Sequence, residues 1–403
     1  MKIMYLSTPE YLSNGIIGAV AKAAKDDCNI VLRCHESAPI ENTPGDVPVC
    51  MSIPKTEMML NVLDAIKRRD PRAFFYIREL KTYVWNMLDI TEPDAIVSTS
   101  DMGGLVNRMC NQWALKHEVP YFIIQPSFLE NPPASVYGMF RAKARHTIFD
   151  VILGLNTSSR QWYYGCENPK NYLLVWGKDQ LCQVKDTEIL KHSFLVGNPA
   201  LDKFSENTVK TNIDVKPVVL YCSQPYDKLV ELGLLTQYQR CEMYNIISGM
   251  VRSNPDKIFL IKLHPSEYDG YDRYEKLLHG CTNVAIVSNE VDFQELCLRA
   301  DIQISMASYA SFEAIVMGVP VILLHPEFLG YFEQFEGMPH VQNLYDLNRY
   351  LDRYSMETYR REFEKDRKRY IERKLHNFGT SAIRTVKVIH SVVEWQKNKS
   401  ASK

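Results

Sequence analysis

Two stretches decide the fold: Ile258-Phe259-Leu260-Ile261-Lys262-Leu263-His264-Pro265-Ser266-Glu267 and Ile302-Gln303-Ile304-Ser305-Met306-Ala307-Ser308-Tyr309-Ala310-Ser311-Phe312-Glu313-Ala314. Each begins as a short apolar run with the length and composition of a buried strand, then breaks into a polar corner. In the second stretch the corner opens an apolar helix, Phe312–Met317. Ligands of an open α/β sheet collect at the carboxyl ends of its strands. A basic His-Pro corner and a serine-bearing helix start therefore face one crevice, and together they suit a nucleotide monophosphate or diphosphate.

The alternation extends outward from these stretches. Before them come Val218-Val219-Leu220-Tyr221-Cys222, a strand ending in the loop Ser223-Gln224-Pro225, and a long helix near Thr236–Ser253. Val284–Val287 and Val319–Leu324 complete the strands of this half. In the first half, strands are read at Ile3–Ser7, Ile30–Cys34, Ala95–Asp101, Tyr121–Pro126, Val151–Leu155, Leu173–Trp176 and Phe194–Val196. Helices are read at Gly15–Ala24, Thr56–Lys67, Ala73–Leu88 and from Gly103-Gly104 to Leu115. Strand–helix alternation in both halves predicts an α/β chain of two Rossmann-like domains with mostly parallel sheets and a central cleft. The polar, unpatterned stretch before Val218 marks the linker. The predicted layout is residues 1–204, a linker at 205–216, residues 217–370, and a C-terminal helical tail at 371–403 that packs back on a domain.

With 403 residues the chain can bury two cores. A net charge of −1 gives no global basic field, so a nucleic-acid partner is not expected. The ten cysteines form no C-x-x-C pair or metal-ligand spacing and read as reduced thiols of a cytoplasmic protein. Met1–Leu6 is too short an apolar run for a signal peptide and reads as a core strand. No run approaches the roughly 18 apolar residues of a membrane span. In the tail, Arg360, Arg361, Lys365, Arg367, Lys368 and Arg369 interleave with Glu357, Glu362, Glu364 and Asp366. That pattern predicts a solvated helix face; a peripheral contact with an anionic membrane is the alternative.

Several residues carry candidate chemistry. His264 at a strand end can donate to a phosphate oxygen. Lys262 lies two residues earlier, and residues two apart on a strand share a face, so the two are expected to point the same way before Pro265 ends the strand. Ser308 and Ser311 flank a helix start, where free N–H groups make an anion site. Glu313 in the first turn either accepts from a ribose diol or simply complements the helix dipole. Asp101 ends a strand and precedes Gly103-Gly104; it is either a general base for an acceptor hydroxyl or the N-cap of the next helix. Glu10, His35, Glu36 and Glu130 follow strands and are the reserve bases. The run Glu267-Tyr268-Asp269-Gly270-Tyr271-Asp272 reads as a turn, because it lacks the ligand spacing of a calcium loop.

The order Cys222–Pro225, then K-x-H-P at Lys262–Pro265, then S-x-x-S-F-E-A-x-x-x-G-x-P-V-I at Ser308–Ile322, resembles the C-terminal domain of GT-B-fold glycosyltransferases that build bacterial surface polysaccharides. Most similar are the capsule-synthesis transferases, the His-Pro sialyltransferases, the Kdo transferases and the CDP-glycerol polymerases. The resemblance covers residues 218–325 and implies a glycosyltransferase with no resident cofactor. It implies a nucleotide-sugar donor, CMP-linked as in sialic acid or Kdo, held by Ser223, Gln224, Lys262, His264, Pro265, Ser308, Ser311 and Glu313. The acceptor is then a glycan or lipid-linked glycan, met by Ser13, Asn14, Gly15, Glu36 and Gln125, with Asp101 and His264 catalytic. Gly197-Asn198-Pro199-Ala200-Leu201-Asp202 is similar to the G-N-x-x-x-D segment of non-hydrolysing UDP-sugar 2-epimerases. That family's S-G-G loop and its arginine after the G-x-P strand are absent; this chain reads Leu323-Leu324-His325-Pro326-Glu327. A subunit that binds a nucleotide-sugar without chemistry is the non-enzymatic alternative.

No D-x-D occurs in a strand-end loop, so a metal-bridged diphosphate is not indicated. Turnover should persist in EDTA and gain nothing from magnesium or manganese; loss in EDTA restored by either ion contradicts this.

Overall fold

The structure, a computed structural model, describes residues 1–7, 11–33, 49–52, 70, 72–101, 105–129, 166, 168–209, 216–231, 233, 235–267, 270–288, 291–306, 308–325, 333–353 and 357–401. The expected strand at Val151–Leu155, the helix at Thr56–Lys67 and the Gly103-Gly104 helix start lie outside these residues. So do Glu10, His35, Glu36 and Glu130.

The chain divides into two compact units, one of Met1–Lys203 with Arg373–Lys403 and one of Phe204–Glu372. The first unit holds β1 (Lys2–Ser7), β2 (Cys28–Arg33), β3 (Val49–Ser52), β4 (Ala95–Ser98), β5 (Tyr121–Ile124), β6 (Tyr172–Val175) and β7 (Ser193–Leu195). These form one parallel sheet in the order β3-β2-β1-β4-β5-β6-β7. Its helices are α1 (Tyr11–Ala23), α2 (Ala73–Thr91), α3 (Leu105–Lys116), α4 (Lys178–Leu181) and α5 (Thr187–Lys191). Every residue of β4, β5 and β6 is buried. A strand covered on both faces needs an unbroken apolar run, and Tyr121-Phe122-Ile123-Ile124 supplies one.

The second unit holds β8 (Val218–Cys222), β9 (Ile258–Lys262), β10 (Val284–Val287), β11 (Ile302–Ser305), β12 (Val321–Leu324) and β13 (His340–Val341). Their order is β10-β9-β8-β11-β12-β13, again parallel throughout. The helices are α6 (Tyr226–Glu231), α7 (Gln237–Ser253), α8 (Gly270–Leu277), α9 (Phe293–Arg299), α10 (Tyr309–Val316), α11 (Leu344–Arg353) and α12 (Glu357–Lys374). Both sheets start at a central strand, grow to one edge, return and grow to the other. The strand order therefore reverses between β1 and β4, and again between β8 and β11. Among the described residues no helix is long and apolar enough to cross a membrane.

The tail differs from a uniformly solvated charged face. Arg361, Lys365, Lys368 and Arg369 are exposed, but Arg360 and Arg367 are buried. The Arg367 guanidinium donates to the carbonyls of Ile315 (2.7 Å), Val316 (2.7 Å) and Asn207 (2.9 Å). It closes the C-terminal end of α10, where helix carbonyls lack partners of their own.

The last helix, α13 (Ser381–Ala401), belongs to the first unit and packs on α1. Its start is held by the Gly197–Asp202 segment. The Asp202 carboxylate accepts from the N–H groups of Gly379 (2.9 Å) and Ala382 (2.8 Å). Gly197 has φ +93°, and a Cβ there would collide with the His376 carbonyl and the Ser381 hydroxyl. Further along α13, His390 meets Asp27 at 2.7 Å and Lys397 meets Asp94 at 2.6 Å. Asp202→Ala should lower stability by about 1–2 kcal/mol through loss of this cap, with Asp202→Asn nearer wild type. Thermal unfolding of the two variants followed by circular dichroism measures the difference.

Candidate functional site

The register of the second sheet brings three strand ends level. Cys222 pairs with Lys262 on one side and with Ser305 on the other. The corners after β8, β9 and β11 therefore open side by side at the point where strand order reverses. Ser223 and His264 stand on the first two corners, and Ser308 begins the helix after the third.

The first two corners are stitched together through Ser223 and Glu267. The His264 backbone N–H donates to Ser223 Oγ (2.8 Å) and to Glu267 Oε2 (3.1 Å). The Ser223 hydroxyl donates to the same carboxylate oxygen. Glu267 N–H closes a turn onto the His264 carbonyl at 2.8 Å. Glu267 is buried, and burial raises its pKa against the opposing effect of these two donors. Its Oε1, like the Tyr274 hydroxyl, is buried with no hydrogen-bond partner. The floor beneath is aromatic: Tyr221 and Tyr226 share a hydroxyl–hydroxyl bond of 2.6 Å, and both are fully buried.

The side chain of His264 has a defined proton. Ser266 N–H donates to His264 Nδ1 at 3.1 Å. A ring nitrogen that accepts carries no proton, so the neutral imidazole bears its hydrogen on Nε2. Burial first, and the charge of Lys228 second, hold the imidazole below its ordinary pKa. At neutral pH His264 is an uncharged N–H donor.

Lys262 is placed differently from expectation. Its Nζ donates to the Ser288 carbonyl just beyond β10, at 3.0 Å. The strand ends at Lys262, so the period-two rule does not carry on to His264, whose backbone turns toward β8. Pro265 is exposed on the turn that follows. Gln224 uses its carbonyl to accept Tyr226 N–H at 2.7 Å, which starts α6.

On the third corner, Ser308 is the N-cap of α10 with extended backbone and no side-chain capping bond. Ser311 is fully buried, its Oγ 2.5 Å from Ser305 Oγ, and Ser305 in turn donates to the Met306 carbonyl at 2.6 Å. Glu313 is buried on the same helix and accepts from Gln294 Nε2 of α9 at 3.0 Å. Its carboxylate is thus oriented by Gln294.

The first unit changes two expectations. Asp101 has no exposed surface, and its Oδ2 accepts from Asn168 N–H (2.9 Å) and Asn171 Nδ2 (2.9 Å). A general base must reach the acceptor's hydroxyl; this carboxylate instead anchors the segment leading into β6. Gln125 is also fully buried. It accepts from Trp176 N–H (2.9 Å) and donates to the Ser127 carbonyl (2.8 Å) and Gln180 Oε1 (2.8 Å), so its amide braces loops rather than meeting an acceptor. Ser13, Asn14 and Gly15 lie inside α1, with Gly15 exposed.

Sequence reasoning missed the roles of Glu267, Gln294 and Lys228. Glu267 closed the quoted motif, but its partner Ser223 lies 44 residues away and no spacing rule connects them. Among the described residues no group of three His, Cys, Asp or Glu side chains could hold a metal ion.

No protein-family model and no curated protein matches the chain. Solved structures do. The Neisseria meningitidis UDP-GlcNAc 2-epimerase bound to UDP-GlcNAc covers 97% of this chain and 100% of its own, with TM-score 0.59 and 14% identity. The glycotransferase of kitacinnamycin covers 97% and 99%, with TM-score 0.61 and 12% identity. Anabaena HepE in complex with UDP and glucose covers 97% and 100%, with TM-score 0.55 and 12% identity. The fold is therefore α/β and GT-B-like.

Ser223→Ala removes a hydroxyl that both feeds Glu267 and receives His264. The pKa of Glu267 is raised by folding, so its contribution to stability is complete below the ordinary glutamate range and is lost as pH rises through the folded value. Losing the Ser223 donor raises that value further. Ser223→Ala should therefore cost about 1–3 kcal/mol at pH 7 and less near pH 4, a difference that urea unfolding at the two pH values will measure.

Proposed function

We propose that this chain is a nucleotide-sugar enzyme, and specifically a glycosyltransferase that holds its donor nucleotide on the second unit. The observation that carries the reading is the hydrogen-bonded junction of Ser223, His264 and Glu267 at the strand-order reversal, level with the start of α10. His264 Nε2–H and the first N–H groups of α10 would face the phosphate, and Glu313 would accept from the ribose. As the bond from sugar to phosphate breaks, negative charge grows on the phosphate oxygens. Donors already fixed in place stabilise that charge without reorganising.

The donor proposed is CMP-linked, such as sialic acid or Kdo, and the acceptor a surface glycan. The motif order of residues 218–325 supports this. The kitacinnamycin glycotransferase among the structural neighbours supports transfer as the reaction class. The epimerase neighbours favour a second reading, a UDP-sugar 2-epimerase-like activity on the same nucleotide site.

Calorimetric titration of CMP, CDP, UMP and UDP into wild type and His264→Ala tests both. Wild type should bind CMP most tightly, and the substitution should weaken it about ten- to a hundredfold, the loss of one strong hydrogen bond. A preference for UDP moves the donor class toward the second reading. Equal affinities in the two proteins remove His264 from the site.

A further inference from the structure

We propose that Lys228, rather than Lys262, supplies the positive charge that meets the nucleotide's phosphate, acting beside His264. This rests on the nucleotide reading above and assigns a residue that the motifs do not mark.

The first argument is where the two lysines stand. Lys262 is on β9 with its Nζ bound to the Ser288 carbonyl at 3.0 Å, on the β10 side. Lys228 is on α6, which begins directly after the Ser223-Gln224-Pro225 loop. The Pro225 carbonyl accepts Leu229 N–H at 2.9 Å, so Lys228 lies in the first turn. The bond from His264 N–H to Ser223 Oγ, 2.8 Å, presses this corner against the His-Pro corner. Helix α6 turns Tyr226 into the core, while Lys228 is exposed.

The second argument is charge. Asp227, the neighbouring acid, is held by Arg240 and Arg273. Glu267 is buried and accepts from Ser223 and His264. Among the described residues no carboxylate pairs with Lys228. The corner therefore combines an uncompensated ammonium with an imidazole N–H, which is a donor set for a phosphate group. The Lys228 charge already acts on His264, since it contributes to lowering the imidazole pKa.

The test is calorimetry with UDP, CMP, uridine and inorganic pyrophosphate on wild type, Lys228→Ala and Lys228→Arg. Lys228→Ala should weaken UDP and CMP about ten- to a hundredfold and flatten the salt dependence of binding. Lys228→Arg should stay within a few-fold of wild type, and uridine should not distinguish the three. NMR titration of the His264 imidazole should show a higher pKa in Lys228→Ala, which reports that the Lys228 charge reaches His264, while rescue of nucleotide affinity by Lys228→Arg reports the phosphate contact. Unchanged nucleotide affinity in Lys228→Ala, with wild type binding, overturns the assignment. If wild type binds pyrophosphate through Lys228 but no nucleotide, the phosphate site stands and the nucleotide reading falls. Failure to bind either overturns both.

Discussion

The second unit depends on one shared acceptor, Glu267 Oε2. It receives the Ser223 hydroxyl from the corner after β8 and the His264 N–H from the corner after β9. Without it, two loops at the centre of a parallel sheet would be joined beyond their strands by the single bond from His264 N–H to Ser223 Oγ, whose hydroxyl would lose its own acceptor. A buried carboxylate is costly unless its hydrogen bonds are made, so this arrangement tolerates few alternatives in either loop. The same logic fixes α10. Ser311 is bound near its start by Ser305, and Arg367 closes its end through two carbonyls. The helix that presents Ser308 and Glu313 is thus tied at both ends.

How much of this was legible in the sequence follows from what each element needs. Strands β9 and β11 are apolar runs punctuated by Pro265 and by serines, so run and stop were both readable. Edge strands β3 and β13 are four and two residues long and escaped notice. Segments that short leave no room for a period, and their pairing is a matter of backbone bonds to a neighbour. Helix α1 begins at Tyr11, before the expected Gly15, because helix continues through the polar pair Ser13-Asn14. Side-chain partnerships were the least readable. Arg367 reads as one more charge in a charged helix, and only the fold brings it to Ile315, 52 residues earlier.

The two sheets share an order, and comparing their polar corners separates structure from site. After β4, Ser98 Oγ donates to the Ser100 carbonyl at 2.9 Å, and Asn107 and Tyr121 close on the same carbonyl at 2.9 and 3.1 Å. Asp101 then folds onto Asn168 and Asn171. After β11, Ser305 likewise donates to the Met306 carbonyl, but Ser308 enters α10 without a side-chain capping bond. A polar strand end is therefore not a ligand site by position alone. In the first unit the corner's described side chains bond to one another and to the segment before β6. In the second the helix start has no side-chain cap, and the His264 ring accepts from Ser266 N–H through Nδ1.

The state of His264 sets what that corner can do. Because Nδ1 accepts from Ser266, protonation of the ring would break an internal hydrogen bond as well as charge a half-buried group. Both effects keep the imidazole neutral, so an anion that met it would gain a hydrogen bond without taking up a proton. The electrostatic share of binding must then come from fixed charges and from the α10 dipole, which carries about half a positive charge at its start. An anion site built on these groups would work through geometry fixed by Glu267 and Ser223, with His264 donating as a neutral imidazole.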